Sequence, residues 1–211
     1  SSQVEEHFVR ELRTFLERQT RAHFEMANER YMFSFGGPTR LMGILNVTPD
    51  SFYDGGNFSE TPLAVERGLE MEAQGADVLD VGGESTRPGA MPINEAVEIE
   101  RAVPVIEALT KDLKIPISID TYKSQVAEAA IQAGATIVND ISGMSHDENM
   151  IEVVKHYAVP VILMHIQGTP ANMQINPNYE NLMDDIFSYF ETKIEAAERA
   201  GLDRDKIIID P

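Results

Sequence analysis

With 211 residues, 43% of them hydrophobic, the chain has the length of one domain and enough apolar material for a real core. It contains no cysteine, which excludes a disulfide framework and thiolate metal sites and suits a reducing cytoplasm, and no apolar run approaches the roughly 18–20 residues that span a bilayer. The 35 acids against 17 bases leave a net charge of −18, which argues against a nucleic-acid partner and means that an anionic substrate needs local help from a metal ion, an arginine or helix N-termini.

The N-terminus, Ser1-Ser2-Gln3-Val4-Glu5-Glu6, is polar and acidic, unlike a secretory signal. Val4, Phe8, Leu12, Phe15 and Leu16, then Phe24, Ala27 and Tyr31, recur at helical spacing and predict one N-terminal helix over 3–31, packed on the domain or on a partner chain. Its polar face carries many acids as well as bases, which disfavours a membrane surface. Phe33-Ser34-Phe35 reads as a short strand, closed by the turn residues Gly36-Gly37-Pro38. Residues 1–37 are thus set apart from a main domain over 38–211.

The main domain alternates short apolar strands with amphipathic helices. Strands are expected at 41–45, 78–81, 115–119, 136–138, 160–164 and 206–209, and helices at 62–74, 94–112, 122–133, 147–157 and 179–200. Gly75 and Gly134 sit where a helix ends before the next strand, as left-handed C-caps do. Strands apolar throughout belong to a parallel sheet covered by helices, so the class is α/β, either a doubly wound open sheet or a (β/α) barrel. The strand ends decide between them. They finish in Asn46, Gly82-Gly83-Glu84, Asp120, Asn139-Asp140, His165 and Asp210. Any one of these polar residues could simply cap the following helix. A barrel gathers all of its strand ends at one mouth and builds its site there, whereas an open sheet concentrates them at one switch point. The barrel is the better fit, with about two of its eight βα units expected to be missing beyond Asp210-Pro211.

Two loops carry the chemistry. The first, Met42 to Gly56, includes Asn46-Val47-Thr48-Pro49-Asp50-Ser51-Phe52-Tyr53-Asp54 and is long for a βα connection, which marks it as functional or mobile. The second, Gly82-Gly83-Glu84-Ser85-Thr86-Arg87-Pro88-Gly89-Ala90, surrounds one arginine with small residues. A guanidinium there suits a pair of phosphate or carboxylate oxygens, or else makes an ordinary surface salt bridge.

Together these runs resemble the two signatures of the dihydropteroate synthases. Ser118-Ile119-Asp120-Thr121, Val138-Asn139-Asp140, Met164-His165-Ile166-Gln167-Gly168-Thr169-Pro170 and Ile209-Asp210-Pro211 match that family too, in order, over about residues 40–211. The resemblance implies a TIM-type (β/α)8 barrel that condenses 6-hydroxymethyl-7,8-dihydropterin diphosphate with para-aminobenzoate, giving 7,8-dihydropteroate and pyrophosphate. By the same resemblance Asp120, Asn139 and Asp210 hydrogen-bond the pterin, whose edge offers donors and acceptors that carboxylates and an amide can read. Met164 packs on the ring, or simply in the core, and Ile141 adds apolar wall. Asn46 is the magnesium-associated asparagine; one protein amide suffices because Mg²⁺ keeps waters and is held mostly by substrate phosphates. Thr86 and Arg87 order the loops and hold the diphosphate, while Phe52 and Pro88 line the para-aminobenzoate pocket and make the family's sulfonamide sensitivity an expectation. Asp120 stabilises the cationic pterin left when diphosphate departs. His165 is structural or supporting. A homodimer through the absent C-terminal part is a further implication.

The chain departs from the family pattern at Tyr53, where a serine is usual, and at Ile166, where methionine is common. No residue matches the pterin-binding lysine and the anion-binding arginine and histidine of the seventh and eighth strands, so this chain alone is expected to be inactive. Two rival accounts remain. A methyltetrahydrofolate-dependent methyltransferase shares the strand-end Asp and Asn but has no use for the long first loop or the Ser-Thr-Arg-Pro-Gly second loop. A non-catalytic pterin-binding paralogue would explain the absent segment, yet a decaying site would be expected to lose Asp120, Asn139 or Arg87.

Overall fold

Six strands lie parallel in the order in which they occur along the chain: β3 (Met42–Asn46), β4 (Val78–Gly82), β5 (Ile117–Asp120), β6 (Ile137–Asp140), β7 (Val161–Met164) and β8 (Ile207–Asp210). A doubly wound sheet would reverse its order at a switch point; this one never does, and it is six strands of a (β/α) barrel. In this computed structural model the described residues are 24–27, 32–35, 37–48, 60–85, 91–168, 173 and 176–211, and the chain divides into two units, Ser1–Thr39 and Arg40–Pro211.

The helices between the strands are α1 (Glu60–Ala73), α2 (Glu95–Asp112), α3 (Ser124–Ala133), α4 (Met150–Tyr157) and α5 (Leu182–Arg199). Each begins and ends within a few residues of the helix that the sequence predicts. Local chemistry fixes several ends. The Asn94 side chain accepts from Val97 N at 2.9 Å and caps α2. Asp147, from the loop after β6, accepts from Ser124 N at 2.8 Å and caps α3 from outside that helix. Gly134 ends α3 at φ +119°, and a β-carbon there would sit 2.4 Å from Thr110 Cγ2, so both backbone and packing require glycine.

Strand residues alternate between two environments. Leu45, Leu79, Val81, Ile117, Ile119, Val138, Val161 and Leu163 form one buried cluster with Ala102, Val105, Ile106 and Leu109 of α2, Val126, Ala127 and Ala130 of α3, and Phe190 and Ala197 of α5. The intervening residues face the opposite side of the sheet, the barrel interior, and these carry the polar strand ends.

The other unit holds a correction. Phe24–Ala27 is a strand, β1, pairing antiparallel with β2 (Met32–Phe35) in a register that sets Phe24 opposite Phe35 and Ala27 opposite Met32. The helix predicted over 3–31 therefore does not extend through 24–27; residues 1–23 lie outside the described residues. Phe24 and Ala27 satisfy a helical i, i+3 spacing, but Phe24-Glu25-Met26 also alternates with period two, and pairing with the Phe33-Ser34-Phe35 strand lets that period win. No helix among the described residues is long and apolar enough to cross a membrane.

Candidate active site

Parallel register lines up the interior-facing residues in rows across the sheet. One row runs Asn46, Gly82, Asp120, Asn139, Ile162, Ile208 from β3 to β8. The row beneath it contains Ile44, Asp80, Ser118 and Ile137. Above the first, Met164 stands opposite Asp210. Asn46, Asp120, Asn139, Met164 and Asp210, nominated from five separate stretches of sequence, thus belong to one face at one end of the sheet. Asp120, Asn139 and Met164 are half-buried, Asn46 and Asp210 are exposed, and Ile141, just past β6, is buried.

Gly82 makes room for two of these side chains. A β-carbon on it would lie 3.3 Å from Asn46 Oδ1 and 3.4 Å from Asp120 Oδ2, so the amide and the carboxylate converge over the glycine. Beneath them Asp80, 4% exposed, accepts from Asn139 Nδ2 at 2.9 Å. That bond spans β5 and turns the amide oxygen of Asn139 away from Asp80.

The electrostatics follow from crowding acids into a dry place. Burial raises the Asp120 carboxyl well above the usual carboxylate range, and the negative charges of Asp80, Glu98, Asp140 and Glu84 add to the effect. Burial raises Asp80 too, opposed by the Ser118 hydroxyl and the Asn139 amide. A carboxylate so placed gains most by meeting positive charge.

Other strand-end residues have structural partners. Asp140 is buried and accepts from Ser142 N at 2.8 Å, Ser142 Oγ at 2.7 Å and Met144 N at 3.0 Å, holding the turn after β6. The His165 ring meets Tyr189 edge-on at 4.9 Å and lies near Tyr179 and Phe190. The hydroxyl of Tyr189 donates to Met164 O at 3.1 Å, tying α5 to the end of β7.

Sequence reasoning passes over a buried knot beside Asp120. Glu84 accepts from Tyr122 OH at 2.5 Å and from Lys123 Nζ, and Lys123 Nζ also donates to Glu98 Oε2 at 2.6 Å and to Ile93 O at 2.7 Å. Burial pulls Lys123 down, but its bonds to the two glutamates outweigh this and its pKa stands above the usual lysine value. Burial raises Glu98. Lys123 looks like a routine solvent-facing lysine at a helix start; only the closeness of Glu84 and Glu98, distant in sequence, betrays it. Phe52, Thr86, Arg87 and Pro88 lie outside the described residues.

Among the described residues no group of three His, Cys, Asp or Glu is arranged to hold a metal ion. Asn46 ends β3 and offers one hard amide oxygen, Oδ1, over Gly82. It fits a magnesium ion whose other ligands are water and phosphate oxygens, and it does not fit a metal held wholly by protein.

A barrel with an acid- and amide-lined mouth defines a class, and the family of pterin-binding enzymes matches residues 42–211. The chain belongs to that family. Within it, the chain is similar to dihydropteroate synthases. That of Clostridium beijerinckii is 49% identical over 179 residues, covering 85% of this chain and 64% of the relative. The Xanthomonas albilineans dihydropteroate synthase solved with 4-aminobenzoic acid is 40% identical, with a TM-score of 0.78 over 85% of this chain and 63% of that one. A structure of the Xanthomonas albilineans enzyme in complex with 7,8-dihydropteroate has a TM-score of 0.75 at 37% identity, covering 87% of this chain and 63% of that one. The chain therefore spans less than two thirds of the length of these relatives.

Proposed function

We propose that this chain is the larger part of a dihydropteroate synthase, which joins para-aminobenzoate to 6-hydroxymethyl-7,8-dihydropterin diphosphate and releases pyrophosphate. The observation that carries this reading is the convergence of Asn46, Asp120, Asn139, Met164 and Asp210 on one end of the barrel interior, in a chain whose residues 42–211 match the pterin-binding family. The relative solved with 4-aminobenzoic acid and the one in complex with 7,8-dihydropteroate support one substrate and the product of this reaction.

In this proposal Asp120, Asn139 and Asp210 read the donor and acceptor edge of the pterin, and Met164 and Ile141 give it an apolar wall. Asp80 holds the Asn139 amide so that its oxygen accepts from the ring. Thr86 and Arg87 hold the diphosphate; Phe52 and Pro88 receive the arylamine. Asn46 Oδ1 would ligate magnesium, which when bound with the diphosphate neutralises charge on the leaving group. As the carbon–oxygen bond to diphosphate breaks, positive charge spreads over the pterin ring, where the Asp120 carboxylate stabilises it. The amine of para-aminobenzoate then forms the carbon–nitrogen bond and gives up a proton. No protein nucleophile is required. A cytoplasmic location and a homodimer formed outside this chain complete the proposal.

The test is para-aminobenzoate-dependent pyrophosphate release, with magnesium, from this chain, from the parent gene product and from the parent carrying Asp120→Asn. The expected result is release by the parent, cut on the order of 10²-fold or more by the substitution. A parent that binds pterin yet releases no pyrophosphate would make the non-catalytic paralogue the better account.

A further inference from the structure

Tyr189 of α5 packs against the buried cluster on the helix side of the sheet and grips one peptide unit, that between Met164 and His165 at the end of β7. Its hydroxyl donates to Met164 O at 3.1 Å, and its ring meets the His165 ring edge-on with centroids 4.9 Å apart. The N–H of that unit donates to Asp210 O of β8 at 2.8 Å. The same hydroxyl abuts the turn after β6, where Gly143 comes so near that a β-carbon on it would overlap Tyr189 Oη and lie 2.9 Å from Met164 O. One turn further along α5, Lys193 donates to Ser145 Oγ of that turn at 2.5 Å, its ammonium 5.5 Å from the centre of the Tyr189 ring.

On the other side of this backbone lie two of the proposed pterin residues. Asp140 pairs with Leu163, so the next position of the same register holds Met164 at the end of β7 and Ile141 just past β6. Side chains alternate along a strand, so Asp140 and Leu163 face the helices whereas Ile141 and Met164 face the barrel interior. Filling space does not call for a hydroxyl behind them, because phenylalanine would occupy the same volume with no partner to find. Admitting the hydroxyl costs the turn a β-carbon, since Gly143, at φ +57°, has to leave it room. A hydrogen bond gives direction in return: it fixes the plane of the 164–165 peptide, from which the Met164 side chain projects. Burial, with the negative charge of Asp140, raises the phenol above the usual tyrosine value, so the hydroxyl keeps its proton and donates.

We propose that Tyr189 is a positioning residue for the pterin: from behind the barrel wall it fixes the end of β7 against the turn after β6, and so sets Met164 against Ile141 as two sides of the slot that receives the flat ring. This inference rests on the synthase reading above and deepens it. Tyr189 itself makes no contact with substrate; it acts through the Met164 carbonyl.

The experiment uses the parent protein as wild type, Tyr189→Phe, Met164→Ala, the double variant and His165→Leu. Each is titrated with 6-hydroxymethylpterin, assayed for the KM of the pterin diphosphate and of para-aminobenzoate, and melted. Tyr189→Phe is expected to weaken pterin binding about fivefold and to raise the KM of the pterin diphosphate in step, with the KM of para-aminobenzoate held within about twofold. Met164→Ala alone is expected to weaken pterin about tenfold. In that background Tyr189→Phe should add less than about twofold, because the side chain it aims is gone. A merely structural role would lower the melting temperature in both backgrounds and leave pterin affinity alone. Wild-type pterin affinity in Tyr189→Phe or in Met164→Ala, or the full fivefold loss persisting in the double variant, would overturn the proposal, as would equal weakening of both substrates. If Tyr189→Phe fails to fold, His165→Leu decides: it removes the ring that Tyr189 meets, a twofold to threefold loss of pterin affinity is expected (about half the Tyr189→Phe effect), and wild-type affinity refutes the role. An inactive wild type refutes the synthase reading, whereas an active wild type matched by Tyr189→Phe refutes this inference alone.

Discussion

Asp80 of β4 reaches past β5 to accept a 2.9 Å hydrogen bond from the Asn139 amide of β6, one row beneath Asp120. The same carboxyl orients one member of the site and presses electrostatically on another, since its charge follows burial as a cause of the raised Asp120 pKa. Asp80→Asn keeps the shape and removes the charge. In the parent protein the acid limb of the kcat/KM profile is expected to move to lower pH, because Asp120 then ionises more easily. Asp80→Ala also releases the Asn139 amide and should cost about tenfold in pterin affinity. An acid limb that stays in place in Asp80→Asn would show that this pair does not set the ionisation of Asp120.

Asp120 itself weakens the fold at neutral pH. Its folded pKa lies above the unfolded carboxylate value, so across that window the folded chain binds more protons and stability falls as pH rises. Below about pH 4 the carboxyl is protonated in both states and the effect is absent. Asp120→Asn should therefore stabilise this chain by about 1 kcal/mol at pH 7, roughly 2–4 °C in Tm, although it cuts activity in the parent protein. Thermal melts of both forms from pH 8 down to 4.5 test this. The gap should narrow as pH falls, and a gap that widens would contradict the assignment.

Glycine 143 is a packing constraint behind the site. It adopts φ +57°, and a β-carbon there would lie 2.3 Å from Tyr189 Oη and 2.9 Å from Met164 O. Gly143→Ala is expected to cost about 2–4 kcal/mol, from left-handed strain plus displacement of a bonded hydroxyl and a strand carbonyl. Tyr189→Phe in that background relieves only the first contact, so urea unfolding should show partial rescue. Full rescue would mean that Met164 and the backbone bear none of the strain.

Much of this was legible in the sequence, for identifiable reasons. The six barrel strands and five helices show because each strand is a short apolar run, and β4 to β7 are buried on both faces. Asp120, Asn139 and Asp210 show because a polar residue ending an apolar run is conspicuous. Asp140 is equally conspicuous and misleading, since one residue of offset turns it to the helix side, where it holds the Ser142 turn. Asp80 and the Lys123 knot stay hidden because their meaning lies in contacts between residues 25 to 59 positions apart. Residues 24–27 mislead in the opposite way: four residues are too few for the helical and strand periods to differ.

Gly82 joins the fold to the chemistry. It occupies the row between Asn46 and Asp120, and a β-carbon would stand 3.3 Å and 3.4 Å from their nearest oxygens. Those distances are tight without being impossible, so Gly82→Ala should leave the strand paired and change stability by no more than about 1 kcal/mol. The displaced oxygens belong to the proposed magnesium amide and the proposed cation-stabilising carboxylate, where shifts of a few tenths of an ångström are costly. A loss of about tenfold or more in kcat is expected in the parent protein, with a raised magnesium requirement and a Tm close to wild type. Equal loss of Tm and activity would place the effect in folding instead, and unchanged kcat would mean that Asn46 and Asp120 need not converge over this glycine for the reaction to proceed.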